Sequence, residues 1–271
     1  MGWKEGSQIV IEARWADGQV DRLMPLAQEL VAKEPAVIVA ADMRAAHRAR
    51  REASQVPLVM VSDLDPVAAG LVTNLARPGG MITGLAGFNI EIIGRNVEML
   101  LAAAPKTKRI GFLTSSSGPI LTALLAEARR ATTQHAVEAR FAEVVRPDEI
   151  EPALSRLTKE GAQALVMLPG AVVSAERRRI MQYALGQHWP VIGGTRAWAD
   201  DGALLSYGAD SAANRRRAAS YVDRILRGAK PGDLPIEQPT KFELAVNMKT
   251  AKALGLTIPQ SIMLQATRVI E

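Results

Sequence analysis

The feature that most constrains the fold is a regular alternation of short apolar runs with longer amphipathic stretches. Beyond residue 108 this pattern predicts strands over 109–114, 137–144, 163–168, 190–192 and 203–207, and helices over 119–133, 148–159, 173–186 and 210–226. Strands separated by helices pair in parallel, because the helix returns the chain to the same end of the sheet. The sequence therefore predicts an α/β fold with a parallel, doubly wound sheet.

The first part of the chain repeats this alternation before a turn-rich break. We predict strands over 8–15, 36–40 and 57–61, a helix capped by Asp21, a helix over 43–53, and another helix opened by Asp65-Pro66. The turn-rich stretch over 77–84 then leads to a lobe boundary near Gly87, after which a helix over 90–104 begins. A chain of 271 residues has room for two such lobes.

Composition excludes several classes of function. The chain has no cysteine, which removes disulfides, thiolate catalysis and cysteine-based metal sites. Its net charge of +5 comes from scattered basic residues and only 4% of its residues are aromatic, so we predict no nucleic-acid binding. No apolar run approaches the ~18 residues of a membrane span, and the first six residues lack the apolar core of a signal peptide.

Motifs for catalysis are also missing. The glycines over 79–84 come without a Walker lysine, no serine lies in a G-x-S-x-G elbow, and His47, His135 and His188 have no partner at metal-ligand spacing. Asp63 and Asp65 form a carboxylate pair, of which helix capping already accounts for Asp65. We therefore predict no enzyme activity, no cofactor and no metal. The serines over 115–117 precede a helix, where they could bind an anion or cap the helix.

The C-terminal third carries sequence runs typical of one family. These are Ser206-Tyr207-Gly208, the run from Tyr221 to Pro231, and the run from Leu234 through Leu244 to Pro259; Arg14-Trp15-Ala16-Asp17-Gly18 and Leu75-Ala76-Arg77-Pro78-Gly79-Gly80 add to them. The chain resembles the substrate-binding proteins of ABC transporters, of the type often labelled as tryptophan/tyrosine transport components. The resemblance covers nearly the whole chain.

This resemblance implies a type I periplasmic binding fold of two Rossmann-like lobes. It implies one lobe of residues 1–87 and 208–230 and a second lobe of residues 88–207 and 231–271. Family members have a strand and a helix before the run Gly2-Trp3-Lys4-Glu5-Gly6, so the first strand and helix of this fold are expected to be missing here. The resemblance also implies a periplasmic location and a transporter permease as partner.

A solute-binding protein of this kind holds a small amino-acid-like or carboxylate ligand in the cleft between its lobes. Ligands of such sheets lie at the carboxyl ends of the strands. The residues expected there are Asp42, Met43, Ser62, Asp63, Ser115, Ser116, Gly170, Ala171, Thr195, Arg196 and Tyr207. N–H groups near Ser115 and Ser116, or the Arg196 guanidinium, would bind a carboxylate. Asp42 or Asp63 would bind an ammonium or hydroxyl group, and Tyr207 would make a stacking or hinge contact.

Two alternatives remain open. An effector-binding module of a transcription regulator would share this architecture, although the sequence carries no helix-turn-helix. An inactive, truncated paralogue would keep the framework without the ligand. Several loops depart from the family pattern, including Asp42-Met43 and the serines over 115–117, so the framework matches better than the pocket does.

Overall fold

A computed structural model describes residues 2–17, 19–41, 43–62, 65–67, 69–86, 90–115 and 119–271. The strands in these ranges are β1 (Ile38–Ala40), β2 (Leu58–Ser62), β3 (Ile82–Ala86), β4 (Arg109–Thr114), β5 (Glu138–Glu143), β6 (Ala164–Met167), β7 (Val191–Gly193), β8 (Leu205–Ala209), β9 (Phe242–Asn247) and β10 (Arg268–Ile270). The α-helices are α1 (Leu23–Val31), α2 (Met43–Glu52), α3 (Ile92–Ala103), α4 (Pro119–Gln134), α5 (Ile150–Lys159), α6 (Ala171–Ala175), α7 (Arg177–Gly186), α8 (Arg196–Asp200), α9 (Ser211–Leu226), α10 (Met248–Ala253) and α11 (Gln260–Met263). Short 3₁₀ turns lie at Val20–Arg22, Pro147–Glu149 and Pro231–Asp233.

The chain divides into two compact units, the first comprising Met1–Phe88 and Ser211–Pro239. Its parallel sheet has the order β1-β2-β3. Alternate residues of β2 point to opposite faces, so Leu58 and Met60 pack with α2 while Val59 packs with α9. Each face of this sheet is thus covered by a helix, as the alternating sequence pattern requires.

The second unit comprises Asn89–Asp210 and Thr240–Glu271. Its seven-stranded sheet has the order β10-β9-β8-β7-β6-β4-β5, and every neighbouring pair is parallel except β8 with β9. Leu113, Leu165 and Val191 of the sheet share a buried core with α5 and α7. The parallel-dominated α/β architecture predicted from the sequence is therefore confirmed, and β4 has the predicted bounds.

Two predicted elements of the first unit are wrong. Residues 10–16 form no strand, and Val10 and Ile11 are 79% and 62% exposed. An apolar run becomes a strand only when a neighbouring strand accepts its hydrogen bonds, and β1 pairs with β2 alone among the described residues. Asp65-Pro66 opens a single turn instead of a helix, in which the Asp65 carboxylate accepts the Val67 N–H at 2.8 Å.

The compact units do not end at the same residues as the predicted lobes, whose boundaries stay a prediction. Residues 231–239 belong to the first unit, because Thr83 donates its hydroxyl to the Leu234 carbonyl at 2.8 Å and Glu237 forms a β-bridge with Leu85. Residues 208–210 belong to the second unit, where β8 continues to Ala209 along β9. Both segments are placed by pairing with distant parts of the chain.

Candidate functional site

The carboxyl edge of the second unit's sheet carries most of the predicted site residues that the structure describes. Ser115 follows β4, Gly170 and Ala171 follow β6, and Thr195 and Arg196 follow β7. Tyr207 is the middle residue of β8 and lies one position beyond Ser206, which pairs with Gly193 at the end of β7. Because β4, β6, β7 and β8 are parallel neighbours within one sheet, these residues share its carboxyl edge.

Ser115 connects the segments that follow β4 and β6 through side-chain hydrogen bonds. Its side chain is buried, and its hydroxyl oxygen accepts the N–H groups of Val172 at 3.1 Å and Val173 at 3.3 Å, at the start of α6. A Cβ on Gly170 would overlap this hydroxyl, so the close approach requires glycine. The Ser115 hydroxyl therefore caps the start of α6, and the anion-binding role predicted for Ser115 stays a prediction.

Two glycines allow close packing at the end of β7, directly before Thr195 and α8. A Cβ on Gly193 would overlap the buried Trp198 ring, and a Cβ on Gly208 would overlap the Gly194 carbonyl oxygen. Thr195 is the N-cap residue of α8, and its hydroxyl makes no capping hydrogen bond. The neighbouring Arg196 side chain is 46% exposed and lies 3.4 Å from Asp200. This corner thus presents a hydroxyl and a partly exposed guanidinium.

Beside this corner lies an aromatic pair that sequence reasoning only half identified. The rings of Tyr207 and Phe242 stack with centroids 5.8 Å apart and planes inclined by 22°, and Phe242 is 38% exposed. Antiparallel pairing of β8 with β9 places the two residues on the same edge. We did not predict Phe242 as a site residue, because only the order of strands in the sheet brings it beside Tyr207.

In the first unit the structure describes two of the predicted site residues. Met43 is the buried first residue of α2, and Ser62 is the buried last residue of β2. Asp42, Asp63 and Ser116 lie outside the described residues, so their predicted roles stay predictions. Among the residues that the structure describes, no group of acidic or histidine side chains could hold a metal ion.

A cavity of about 310 Å³ in the second unit is lined by none of the predicted site residues. It lies at the start of α7, among Glu176, Arg177, Arg178, Arg179 and Asp201. Asp201 accepts hydrogen bonds from Arg177 at 3.0 Å and from Arg178 at 3.2 Å. These two arginines therefore share the Asp201 carboxylate as a partner. The cavity contains none of the residues of the carboxyl-edge site.

Comparison with known proteins gives the family. The chain matches the ABC transporter substrate binding protein family over residues 1–270. A tyrosine-binding protein of Clostridioides difficile is 25% identical over 258 residues, which span 94% of this chain and 73% of the relative.

Two solved structures share the fold closely. A conserved domain protein of Vibrio cholerae superposes with a TM-score of 0.92 at 24% identity, over 99% of this chain and 90% of that chain. An ABC domain from Streptococcus pneumonia, in complex with L-Trp, superposes with a TM-score of 0.91 at 25% identity and the same coverage. No helix within the described residues is long and apolar enough to cross a membrane. On the match over residues 1–270, the chain belongs to the family of ABC transporter substrate-binding proteins.

Proposed function

We propose that this protein is the solute-binding component of an ABC importer, which binds a small amino-acid-like or carboxylate ligand and delivers it unchanged to a transporter permease at the periplasmic face. The family match over residues 1–270 carries this proposal. The chemistry of the described residues agrees with a receptor, because their candidate site contains a hydroxyl, a guanidinium and aromatic rings but no paired acid and base.

The corner at the end of β7 supports a carboxylate-bearing ligand. The Thr195 hydroxyl is free of a capping bond, and Arg196 keeps nearly half of its side chain accessible. A guanidinium can donate two parallel hydrogen bonds to a carboxylate, and its 3.4 Å contact with Asp200 leaves donors for this. Ser115 is the weaker candidate, because its oxygen already accepts two N–H groups.

The aromatic pair supports an apolar or aromatic group on the same ligand. Tyr207 and Phe242 stack on each other and expose part of their surface at the edge that carries Thr195. Stacked or edge-to-face aromatic contacts contribute about 0.5–1.5 kcal/mol beyond the area they bury. The names of two relatives, a tyrosine-binding protein and a domain in complex with L-Trp, make aromatic amino acids the first compounds to test.

Thermal unfolding against a panel of amino acids and small carboxylates tests the proposal. A ligand at 100 times its dissociation constant adds about 2.7 kcal/mol to the stability of the protein that binds it. We expect a saturable rise of the midpoint with one ligand class, a matching calorimetric isotherm, and no product after long incubation. Chemical turnover of the bound compound would contradict the receptor assignment.

A pair of variants locates the site. Phe242→Ala removes half of the aromatic pair and should weaken ligand binding, whereas Trp15→Ala removes an exposed aromatic side chain of the first unit and should leave binding unchanged. Equal affinity of both variants and the parent protein would remove Phe242 from the site. That result would leave the family assignment intact, since it rests on the match over residues 1–270.

A further inference from the structure

Helix α2 concentrates positive charge on one face. Its ten residues include four arginines, one histidine and a single glutamate, which gives the helix a formal charge of +3 in a chain whose net charge is +5. Met43, Ala46 and Ala49 form its buried face. The side chains on the opposite face recur at spacings of three and four residues, and they are Arg44, His47, Arg48 and Arg51. We call these four residues the α2 basic face.

The ion pairs of the described residues do not include the arginines of the α2 basic face. Within the part of the chain that the structure describes, no salt bridge involves Arg44, Arg48 or Arg51, although arginines elsewhere pair readily, as Arg217 does with Glu237 at 2.5 Å. Like charges four residues apart, such as Arg44 and Arg48, repel each other along a helix. Arg44 also lies in the first turn, where the helix dipole disfavours a cation. Ion pairs among the described residues therefore do not account for these arginines sharing one face.

The α2 basic face has no apolar centre. The large apolar side chain of α2 belongs to Met43, which is buried, and alanines supply the rest of its apolar surface. Specific protein interfaces are usually built around desolvated aromatic or aliphatic anchors, and charged residues are depleted from their centres. A face of arginines without such an anchor fits a flat anionic surface better than a protein interface. On an anionic surface each cation contributes its electrostatic attraction independently of the others.

We propose that the α2 basic face binds the phosphate groups of an anionic lipid surface. Guanidinium groups bind phosphate oxygens through paired hydrogen bonds. The four side chains extend along about 10 Å of helix, at about 1.5 Å of rise per residue. That length spans several lipid head groups at once, whereas a free phosphate ion meets one or two arginines. The contact is electrostatic and reversible, since no apolar side chain on this face enters the bilayer, and it does not depend on the identity of the transported solute.

Vesicle binding with matched variants tests this inference. The probes are vesicles that mix phosphatidylglycerol with phosphatidylcholine, and vesicles of phosphatidylcholine alone. Arg48→Gln with Arg51→Gln removes two cations from the α2 basic face. Arg215→Gln with Arg216→Gln removes two exposed arginines from α9, on the other side of the same sheet, and serves as the control.

We expect the parent protein to sediment with the phosphatidylglycerol vesicles at low salt and to be released at high salt. At about fivefold per arginine, the α2 double variant should bind about 25-fold more weakly, while the α9 variant stays within about threefold of the parent. Unchanged melting curves of both variants would show that the loss is not caused by unfolding.

Four results would overturn the inference. The first is equal binding to both kinds of vesicle, and the second is an equal loss in the α2 and α9 variants, which would indicate net charge alone. The third is binding that millimolar inorganic phosphate abolishes at constant ionic strength, which would indicate a single phosphate site. The fourth is retention on immobilised polyglutamate without binding to vesicles, which would assign the face to an acidic protein partner instead of a lipid.

Discussion

Replacing Ser115 with alanine separates a structural role from a ligand-binding role at the carboxyl edge of the second unit. The Ser115 hydroxyl accepts two buried N–H groups, from Val172 at 3.1 Å and Val173 at 3.3 Å. Alanine leaves both N–H groups without this acceptor but creates almost no cavity, because only one oxygen atom is removed. Loss of a capping oxygen costs about 1 kcal/mol and up to about 2 kcal/mol, and a buried unpaired donor costs about 1–3 kcal/mol.

We therefore expect Ser115→Ala to lower the free energy of unfolding by about 2 kcal/mol. In a domain of this size the melting temperature falls by about 2–4 °C for each kcal/mol. Urea unfolding followed by far-UV circular dichroism measures the free energy directly. Thr195→Ala is the control, since the Thr195 hydroxyl stands at a helix start without a capping bond and its loss should cost less than about 0.5 kcal/mol.

Ligand binding by the folded variant completes the test. Because both N–H groups already occupy the Ser115 oxygen, Ser115→Ala should bind the solute within about threefold of the parent affinity. Unchanged stability together with a loss of affinity of more than tenfold would refute this reasoning. It would show that the hydroxyl serves the ligand and that the N–H groups of α6 find other acceptors.

Two further predictions concern close packing and charge. Gly208→Ala should destabilise the second unit by about 3 kcal/mol in urea unfolding, because its Cβ would overlap the Gly194 carbonyl oxygen, whereas Gly186→Ala has open space around it and should be nearly neutral. In the first unit, the Arg217 guanidinium holds the pKa of Glu237 below its ordinary value of 4.5. The ionised pair therefore adds stability above that pH and loses it on acidification. Arg217→Gln should cost about 0.5 kcal/mol at neutral pH, because both side chains are partly exposed, and unfolding curves of the two proteins should converge at acidic pH.

The alternating elements of the second unit from β4 to β8 could be predicted from the sequence, whereas α8, β9, α10, α11 and β10 were not predicted. Its strands β4, β6 and β7 are short apolar runs that are almost wholly buried, so each run has one consistent interpretation, and β4 begins and ends where predicted. The candidate site was less accessible to sequence reasoning. Phe242 reaches the site only through antiparallel pairing of β8 with β9, and the local pattern around it contains no signal for that pairing. Ser115 caps α6 only because β4 and β6 are neighbours in the sheet.

The segment before α1 shows why a strand pattern alone is insufficient. The Trp3 indole donates to Asp223 of α9 at 2.8 Å, and Arg14 donates to Glu29 of α1 at 2.9 Å. Helix α9 covers one face of the first sheet, while α1 packs against α2 on the other. Residues 4–13 therefore pass from one side of the sheet to the other, held at both ends by side chains.

The apolar residues of this segment form no strand. Val10 and Ile11 stay exposed, and so does half of Val39 on β1, which pairs with β2 alone among the described residues. Strand preference reflects packing against a neighbouring strand more than an intrinsic tendency of the backbone. The same apolar pattern that yields a strand in the second unit therefore yields an irregular segment here, because no described backbone lies in register beside it. An unpaired edge with apolar neighbours readily accepts another strand, so the edge of β1 is where a change in sheet pairing would most readily occur.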